Sequence, residues 1–293
     1  MTPALSLLAL VAAADPAPAD RLFARDNLVA WCVVPFDGKK RGPEERAAML
    51  ADLGFKKFAY DWRAEHLPTF DREVAALKKH GIELTAVWFP AALNPDASAL
   101  LAVIEKHKLT PQLWVMFGAP PGRTQEEKVG EAAARLRPVV DAAAKLGCRV
   151  GLYNHGGWPG EPENQLAVID RLGGKNVGIV YNLHHGHEHL DRFPRLLAAM
   201  KPHLLCLNLN GMAPGGERVG KKILVLGQGD GDLDLLKTIR DSGYRGPVGI
   251  IGHTGDDAGA RLRDNLDGLD WLTARLAGKN PGPRPTPRTW PGQ

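Results

Sequence analysis

The sequence has few cysteines and lacks the patterns that mark several classes of protein. Its three cysteines, Cys32, Cys148 and Cys206, form no CxxC pair, and each lies in or beside an apolar run. We therefore expect small buried residues at these positions, and neither a disulfide framework nor a zinc site is indicated. No run reaches the roughly 18 consecutive apolar residues that a membrane-spanning helix requires.

Positive charge is also not concentrated anywhere. The formal net charge is only +4, and the basic residues are scattered along the chain. A compact basic stripe interleaved with aromatic residues is missing, so no nucleic-acid partner is expected. What the chain does have is 293 residues, 44% of them apolar. That is enough for a large core, and the length is normal for a single α/β barrel.

The two ends differ in composition from the rest. Residues 4–14 are small and apolar, and Ala12-Ala13-Ala14 before Asp15 resembles a cleavage site. We interpret residues 1–20 as a signal peptide and expect export to the periplasm or the exterior, although a disordered Ala/Pro leader is the alternative. Residues 279–293 are rich in proline and glycine and are predicted to form a tail or a surface strap.

Between these ends, eight short apolar runs alternate with amphipathic helical patterns. The runs are continuous rather than alternating, which is typical of strands covered by helices on both faces of a parallel sheet. The predicted strands are 28–36, 56–62, 83–89, 111–117, 149–154, 177–182, 204–210 and 246–251. The clearest predicted helices are 44–54, 70–81, 126–147 and 264–278. Eight such units predict a single-domain (β/α)8 barrel over residues 21–278, with a doubly wound open sheet as the alternative.

In a (β/α)8 barrel the functional residues follow the carboxyl ends of the strands. Polar and aromatic side chains occupy nearly all of these positions here. We expect a substrate-binding surface at this face, because hydroxyl groups need hydrogen-bond partners and sugar rings stack on aromatic side chains. The predicted substrate-binding residues are Lys40, Asp61, Arg63, Trp88, Tyr153, Asn154, Asn182, His184, Asn208, Asn210 and His253.

Three passages resemble the xylose isomerase-like TIM-barrel superfamily, which includes sugar-phosphate isomerases and epimerases. They are RVGLYNH at strand 5, NVGIVYNLHH at strand 6, and LGQGDGDLDLLKTIRDSGYRGPVGI leading into strand 8. The resemblance covers roughly residues 28–277. The chain is most similar to a group of exported bacterial proteins of sugar catabolism. The resemblance implies a sugar substrate and proton transfer next to a carbonyl group.

The resemblance also implies one divalent metal, held by Glu, Asp, His and Glu on strands 5 to 8. Here those positions are Tyr153, Asn182, Asn208 and about Ile251, so no ligand carboxylate remains. A hard divalent cation prefers charged oxygens, which makes a metal at this position possible but not expected. One further family position is kept, because the histidine three residues after the strand 6 Asp falls on His185.

The histidines of this region leave three hypotheses open. A rebuilt metal site would use His155 and His185 with His253 or His187. Metal-free acid/base chemistry, which we favour, would use His185 or His155 as the base. In that case Tyr153 and the strand-end asparagines would hold the substrate oxygens, and Lys40, Arg41 or Arg63 would meet an oxyanion. A carbohydrate-binding barrel without catalysis is the third hypothesis.

Two neighbouring features complete the prediction. Glu161 in the loop after strand 5 is a candidate replacement acid or base. His187, Glu188 and His189 are interpreted as the start of the next helix, facing solvent. The sequence thus predicts an isomerase, epimerase or lyase that acts on a carbohydrate, with catalytic His185, His155 and Glu161.

Overall fold

The computed structural model describes residues 21–289. The predicted signal peptide, residues 1–20, lies outside the described residues and stays a prediction, as does export. Within residues 21–289 no helix is both long and apolar enough to cross a membrane.

Eight parallel strands close into a barrel in chain order, with β1 paired to β8. The predicted (β/α)8 barrel is therefore confirmed, and the open-sheet alternative was wrong. Both faces of the strands are covered, which explains why their sequences are apolar throughout. The strands are β1 Leu28–Trp31, β2 Lys57–Tyr60, β3 Glu83–Phe89, β4 Gln112–Val115, β5 Arg149–Tyr153, β6 Val177–Asn182, β7 Leu204–Leu209 and β8 Val248–Ile251.

Helices cover the outside of the barrel. They are α1 Pro43–Asp52, α2 Phe70–Lys79, α3 Pro95–Lys106, α4 Gln125–Lys145, α5 Gly157–Gly160, α6 Pro162–Leu172, α7 Phe193–Met200, α8 Asp232–Asp241 and α9 Ala258–Leu276. The last helix begins six residues before the predicted start at 264. Asp257 sets this start, because its side chain accepts a hydrogen bond from the Gly259 N–H and caps the first turn.

The first strand is shorter than the predicted 28–36. It ends at Trp31 because Cys32 adopts a left-handed backbone conformation, with φ 56°, which turns the chain out of the sheet. A short 3-10 helix, Val34–Phe36, follows and carries Phe36 over the end of the barrel. Strands 2 and 4 also stop at Tyr60 and Val115, earlier than predicted, so their following residues are loop residues at the same face.

The core has two parts. The larger lies between the helices and the outer face of the sheet, and the smaller fills the inside of the barrel. The smaller part includes Trp31, Trp114, Tyr153 and Cys206. The prediction of buried, unpaired cysteines is confirmed, since Cys32, Cys148 and Cys206 are all buried and free.

The proline-rich segment 279–289 contains no helix or strand and runs along α9. The buried carboxylate of Asp264 accepts hydrogen bonds from the backbone N–H groups of Arg288 and Thr289, at 2.9 and 2.8 Å. The Thr289 hydroxyl donates a third bond at 2.7 Å. This described part of the tail is therefore held against the barrel as a strap.

Candidate functional site

We refer to the face formed by the carboxyl ends of the strands as the mouth. Its floor is a group of three buried aromatic residues, Trp31, Trp114 and Tyr153, which we call the aromatic plug. The Trp31 ring lies 6.0 Å from Trp114 and 5.9 Å from Tyr153, centroid to centroid, and both pairs meet edge to face. Such contacts stabilise a packed interior beyond simple burial. The plug thus separates the barrel interior from the residues above it.

A cluster of three histidines lies on one side of the mouth. His184 and His185 form the 3-10 turn after β6, and His155 follows β5. The His185 ring is 3.9 Å from His184 and 4.4 Å from His155. Tyr153 stands edge-on to His185 at 5.8 Å. The structure therefore brings together the two predicted catalytic histidines and two predicted substrate-binding residues.

These imidazoles are held in the neutral form at pH 7. Burial, followed by electrostatic repulsion from His155 when it is protonated and from Lys222, lowers the pKa of His185 to about 3. Burial also lowers the pKa of His184 well below its usual range, and Trp31 packs on that ring at 5.7 Å. His155 is the most exposed of the three, and burial and then Lys222 lower its pKa as well. Neutral imidazoles can both donate and accept hydrogen bonds.

The other side of the mouth holds a cation between aromatic rings. The Arg63 guanidinium lies 5.2 Å from the Trp88 ring and 5.5 Å from the Phe36 ring. Trp88 stacks on Tyr153 at 5.4 Å, and Phe36 meets the His253 ring at 3.9 Å. Burial, with Arg261 and Arg63, lowers the pKa of His253 to about 4. Aromatic contacts, with Arg63 between Trp88 and Phe36, therefore run without a break from the histidine cluster to His253.

A cavity of about 730 Å³ opens beside this surface. Phe36 and His253 belong to this surface and also line the cavity. Its other lining residues include Lys40, Arg46 and His66. Lys40 is exposed and has a left-handed backbone, with φ 50°. The predicted oxyanion residue Arg41 also lines the cavity, but its guanidinium is bound to Asp37 and Asp257 at 2.8 Å each.

Three predicted substrate-binding asparagines are bonded to one another beneath the mouth. Asn154 Oδ1 accepts hydrogen bonds from the backbone N–H and the amide of Asn182, at 2.7 and 2.8 Å. Asn208 Nδ2 donates to Asn182 Oδ1 at 2.6 Å. All three side chains are fully buried. Their polar atoms are therefore used within the protein, and this asparagine chain supports the strand ends rather than facing a ligand.

Gly249 on β8 makes room for this arrangement. A Cβ atom at this position would lie 1.7 Å from Asn208 Oδ1, which no side chain could tolerate. Asn210 is used differently, because its amide donates to the Gly211 carbonyl at 2.8 Å, and its Oδ1 is buried and has no partner among the described residues.

Asp61 is a buried carboxylate next to the mouth. Its Oδ1 accepts hydrogen bonds from the backbone N–H groups of Val33 and Val34, at 3.1 and 3.0 Å. Its Oδ2 is buried and finds no partner among residues 21–289. Burial raises the pKa of Asp61 to about 6. Arg63 does not bind this carboxylate but donates to the backbone carbonyls of Asp61 and Trp62.

Glu161 is bonded to Arg192 and His189 and not to a histidine of the cluster. It begins α6 and binds Arg192, and its Oε1 is 3.3 Å from His189 Nε2. Although burial opposes it, hydrogen bonding to Arg192 and then His189 lowers the pKa of Glu161. A carboxylate held this way fits a structural contact better than the acid or base role predicted for it.

The prediction that His189 faces solvent was wrong. A 3-10 helix, His187–Arg192, does follow the histidine run, but His189 is only 4% exposed. Its Nδ1 lies 2.9 Å from the Tyr181 hydroxyl inside β6. The side chain turns inward because Tyr181 and Glu161 offer it hydrogen-bond partners. His187 is half-buried, and its Nε2 lies 2.9 Å from the Lys222 carbonyl oxygen.

The residues at the expected metal-ligand positions do not fit a divalent cation. Tyr153 belongs to the aromatic plug, Asn182 and Asn208 are bonded to each other, and Ile251 is apolar and buried. Among residues 21–289, no three His, Cys, Asp or Glu side chains are grouped so that they could hold a metal ion. The donor set therefore disfavours both the family-type site and the site rebuilt from histidines.

Comparison with known proteins agrees with this fold. A family model described as "Xylose isomerase-like TIM barrel" matches residues 47–275. The chain belongs to this family. No protein with a curated description matches the sequence.

Solved structures of similar fold share little sequence with the chain. The 3-keto-D-glucoside 4-epimerase of E. coli is 15% identical with a TM-score of 0.64, over 85% of this chain and 99% of that one. The D-psicose 3-epimerase of Clostridium cellulolyticum H10 is 15% identical with a TM-score of 0.62, over 85% and 99%. The IOLI protein, whose structure holds a zinc atom, is 13% identical with a TM-score of 0.61, over 85% and 98%. At this identity the likeness shows the family fold alone.

Sequence reasoning missed several residues of the mouth. Trp31 and Cys32 were assigned to the middle of a longer first strand, and the left-handed turn at Cys32 has no sequence signal in a non-glycine residue. Phe36 was recognised as a strand end but not as the partner of Arg63. Lys222 lies in the long segment between β7 and α8, where no strand end could point to it.

Proposed function

We propose that this member of the xylose isomerase-like family is a carbohydrate-modifying enzyme that moves a proton at a carbon next to a carbonyl group. Such a reaction gives isomerisation, epimerisation or elimination. The observation that carries the proposal is the contact between His155 and His185 at the mouth, above Tyr153, on which the partly exposed Trp88 stacks. Aromatic faces bind sugar rings, and imidazoles transfer protons near neutral pH.

The two histidines suit different steps. A base whose conjugate acid has a very low pKa is a weak proton acceptor, so the buried His185 is suited to donate a hydrogen bond to the carbonyl oxygen. His155 is exposed and less strongly shifted, so it is the better proton acceptor. The negative charge that develops on the substrate oxygen would then be met by the uncharged N–H donor of His185. This division assigns no step to a metal ion.

Exchange of solvent deuterium tests the proposal directly. The protein is incubated in D₂O with a panel of aldoses, ketoses, keto-sugars and sugar acids, and deuterium in the sugar is measured by mass spectrometry. We expect deuterium at the carbon next to the carbonyl. His155→Ala and His185→Ala should each slow the exchange by about 10²–10⁴-fold.

His80→Ala is the matched control, because His80 ends α2 at the opposite face of the barrel. It should leave the exchange unchanged, and circular dichroism should show all three variants folded. Binding of a sugar with no deuterium uptake would instead support the second hypothesis, a carbohydrate-binding barrel without catalysis. The observation that favours this non-catalytic hypothesis is the lack of carboxylates at the family's metal-ligand positions.

A further inference from the structure

Cationic and aromatic side chains reach the surface on both sides of the mouth. Arg63, Trp88, Phe36, His155 and His185 are all at least partly exposed. The carboxylate next to them, Asp61, is buried beneath the surface and bound to two backbone N–H groups. The adjoining cavity also has an exposed carboxylate, Glu65, whose Oε1 lies 4.0 Å from His66 Nδ1. Among residues 21–289, neither Asp61 nor Glu65 forms an ion pair with Arg63 or Lys40.

Arg63 is the central cation of this surface. Its Nη1 donates to two backbone carbonyls, which fixes the plane of the guanidinium. Among the described residues, no carboxylate forms an ion pair with it, and neither Nε nor Nη2 makes a hydrogen bond. A guanidinium fixed between two aromatic rings presents a planar pair of donors, which matches the oxygens of a carboxylate or a phosphate.

Other cations of this region add to the same field. Lys40 lines the adjoining cavity and forms no ion pair with residues 21–289. Behind His253, the Arg261 side chain is only 1% exposed, and its Nε and Nη1 have no hydrogen-bond partner in the described chain. A buried cation without a partner is costly, and a bound anion nearby would offset part of that cost.

We propose that the ligand of this mouth is an anionic carbohydrate, whose carboxylate or phosphate group binds Arg63 while its ring lies beside the partly exposed Trp88. The cavity beside Phe36 and His253 would take the part of the ligand nearest Lys40. This inference rests on the proposed function, which supplies the carbohydrate ligand, and adds that this ligand is negatively charged. It separates this chain from a barrel built for neutral sugars, because the hydroxyl groups of a neutral sugar can accept hydrogen bonds from Arg63 but offer no charged pair of oxygens.

A matched set of ligands tests the inference by binding alone. Titration calorimetry compares D-galacturonate and D-galactose 6-phosphate with neutral D-galactose, first at low salt and then at 0.5 M NaCl. We expect at least one anionic sugar to bind about tenfold or more tightly than D-galactose, since a charge-assisted pair contributes that much. The preference should shrink at high salt. Which of the two anions binds identifies the group as carboxylate or phosphate.

Variants locate the anion. Arg63→Gln should weaken binding of the anionic sugar by about tenfold or more and change that of D-galactose little. Arg72→Gln is the control, because Arg72 is a surface cation of α2 paired with Glu44. Equal affinity for neutral and anionic sugars, no binding of either anion, or an unaffected Arg63→Gln would overturn the inference. Since turnover is not measured, tight binding of an anionic sugar without deuterium exchange would contradict only the proposed function.

Discussion

Asp61 shows how a single residue next to the mouth is set by its surroundings. The left-handed turn at Cys32 directs the N–H groups of Val33 and Val34 at one carboxylate oxygen, and the other oxygen is buried without a partner. The backbone bonds favour the charged form, but burial disfavours it more strongly and raises the pKa from 3.8 to about 6. The carboxylate is therefore ionised at neutral pH at a cost to stability.

The pH dependence of unfolding follows from this. Between about pH 4 and 6 the folded protein holds a proton on Asp61 that the unfolded chain releases. The free energy of unfolding therefore falls as the pH rises over this range, and the contribution of the protonated Asp61 is lost once the pH has passed 6. Asp61→Asn keeps an oxygen for Val33 and Val34 but removes the charge. Relative to wild type, the variant should gain up to about 3 kcal/mol of unfolding free energy between pH 4 and pH 7.

Urea unfolding at several pH values measures this difference. Asp170→Asn, an exposed substitution on α6, is the control and should run parallel to wild type. Parallel curves for wild type and Asp61→Asn would show that Asp61 has an ordinary pKa in the folded protein.

At the scale of the elements, β5, β6 and β7 are joined at their ends by the asparagine chain. Asn182 pairs in register with Asn208, and both lie buried beneath the mouth. Asn182→Asp would restore the carboxylate expected at this position in the family. The new oxygen would then face Asn154 Oδ1, where an N–H donor is now.

We therefore expect Asn182→Asp to lower stability by about 2–4 kcal/mol, because a buried charge loses a donor and gains a repelling neighbour. It should not create a metal site, since Tyr153, Asn208 and Ile251 offer no charged ligand. Thermal unfolding and metal analysis after incubation with Mn²⁺ measure both effects. Asn94→Asp is the control, because Asn94 caps α3 and an aspartate can do the same. Unchanged stability, or one tightly bound Mn²⁺ per chain, would contradict this account of the asparagine chain.

Most of the strands and helices could be predicted from the sequence, because continuous apolar runs separated by amphipathic helices specify a parallel sheet covered on both faces. The position of Asn182 at a strand end was predicted for the same reason. Its partners were not, because bonds between Asn154, Asn182 and Asn208 depend on the register of three strands. The inward turn of His189 depends on Tyr181, whose hydroxyl could not be placed without the packing of α7 on β6.

At the scale of the whole molecule, the chain has the barrel fold of its family but differs at the centre of the mouth from the metal site that the resemblance implied. The aromatic plug and the asparagine chain occupy the strand ends where the resemblance implied charged ligands. Neutral histidines and Arg63 lie above them. We therefore propose that side chains of this chain transfer a proton on an anionic carbohydrate.

The most direct test of this central claim is deuterium exchange into a bound sugar by protein that has been treated with EDTA, before and after addition of Mn²⁺. We predict that deuterium exchanges at the same rate in both samples and that His155→Ala abolishes this exchange. Exchange that disappears with EDTA and returns with Mn²⁺ would contradict it.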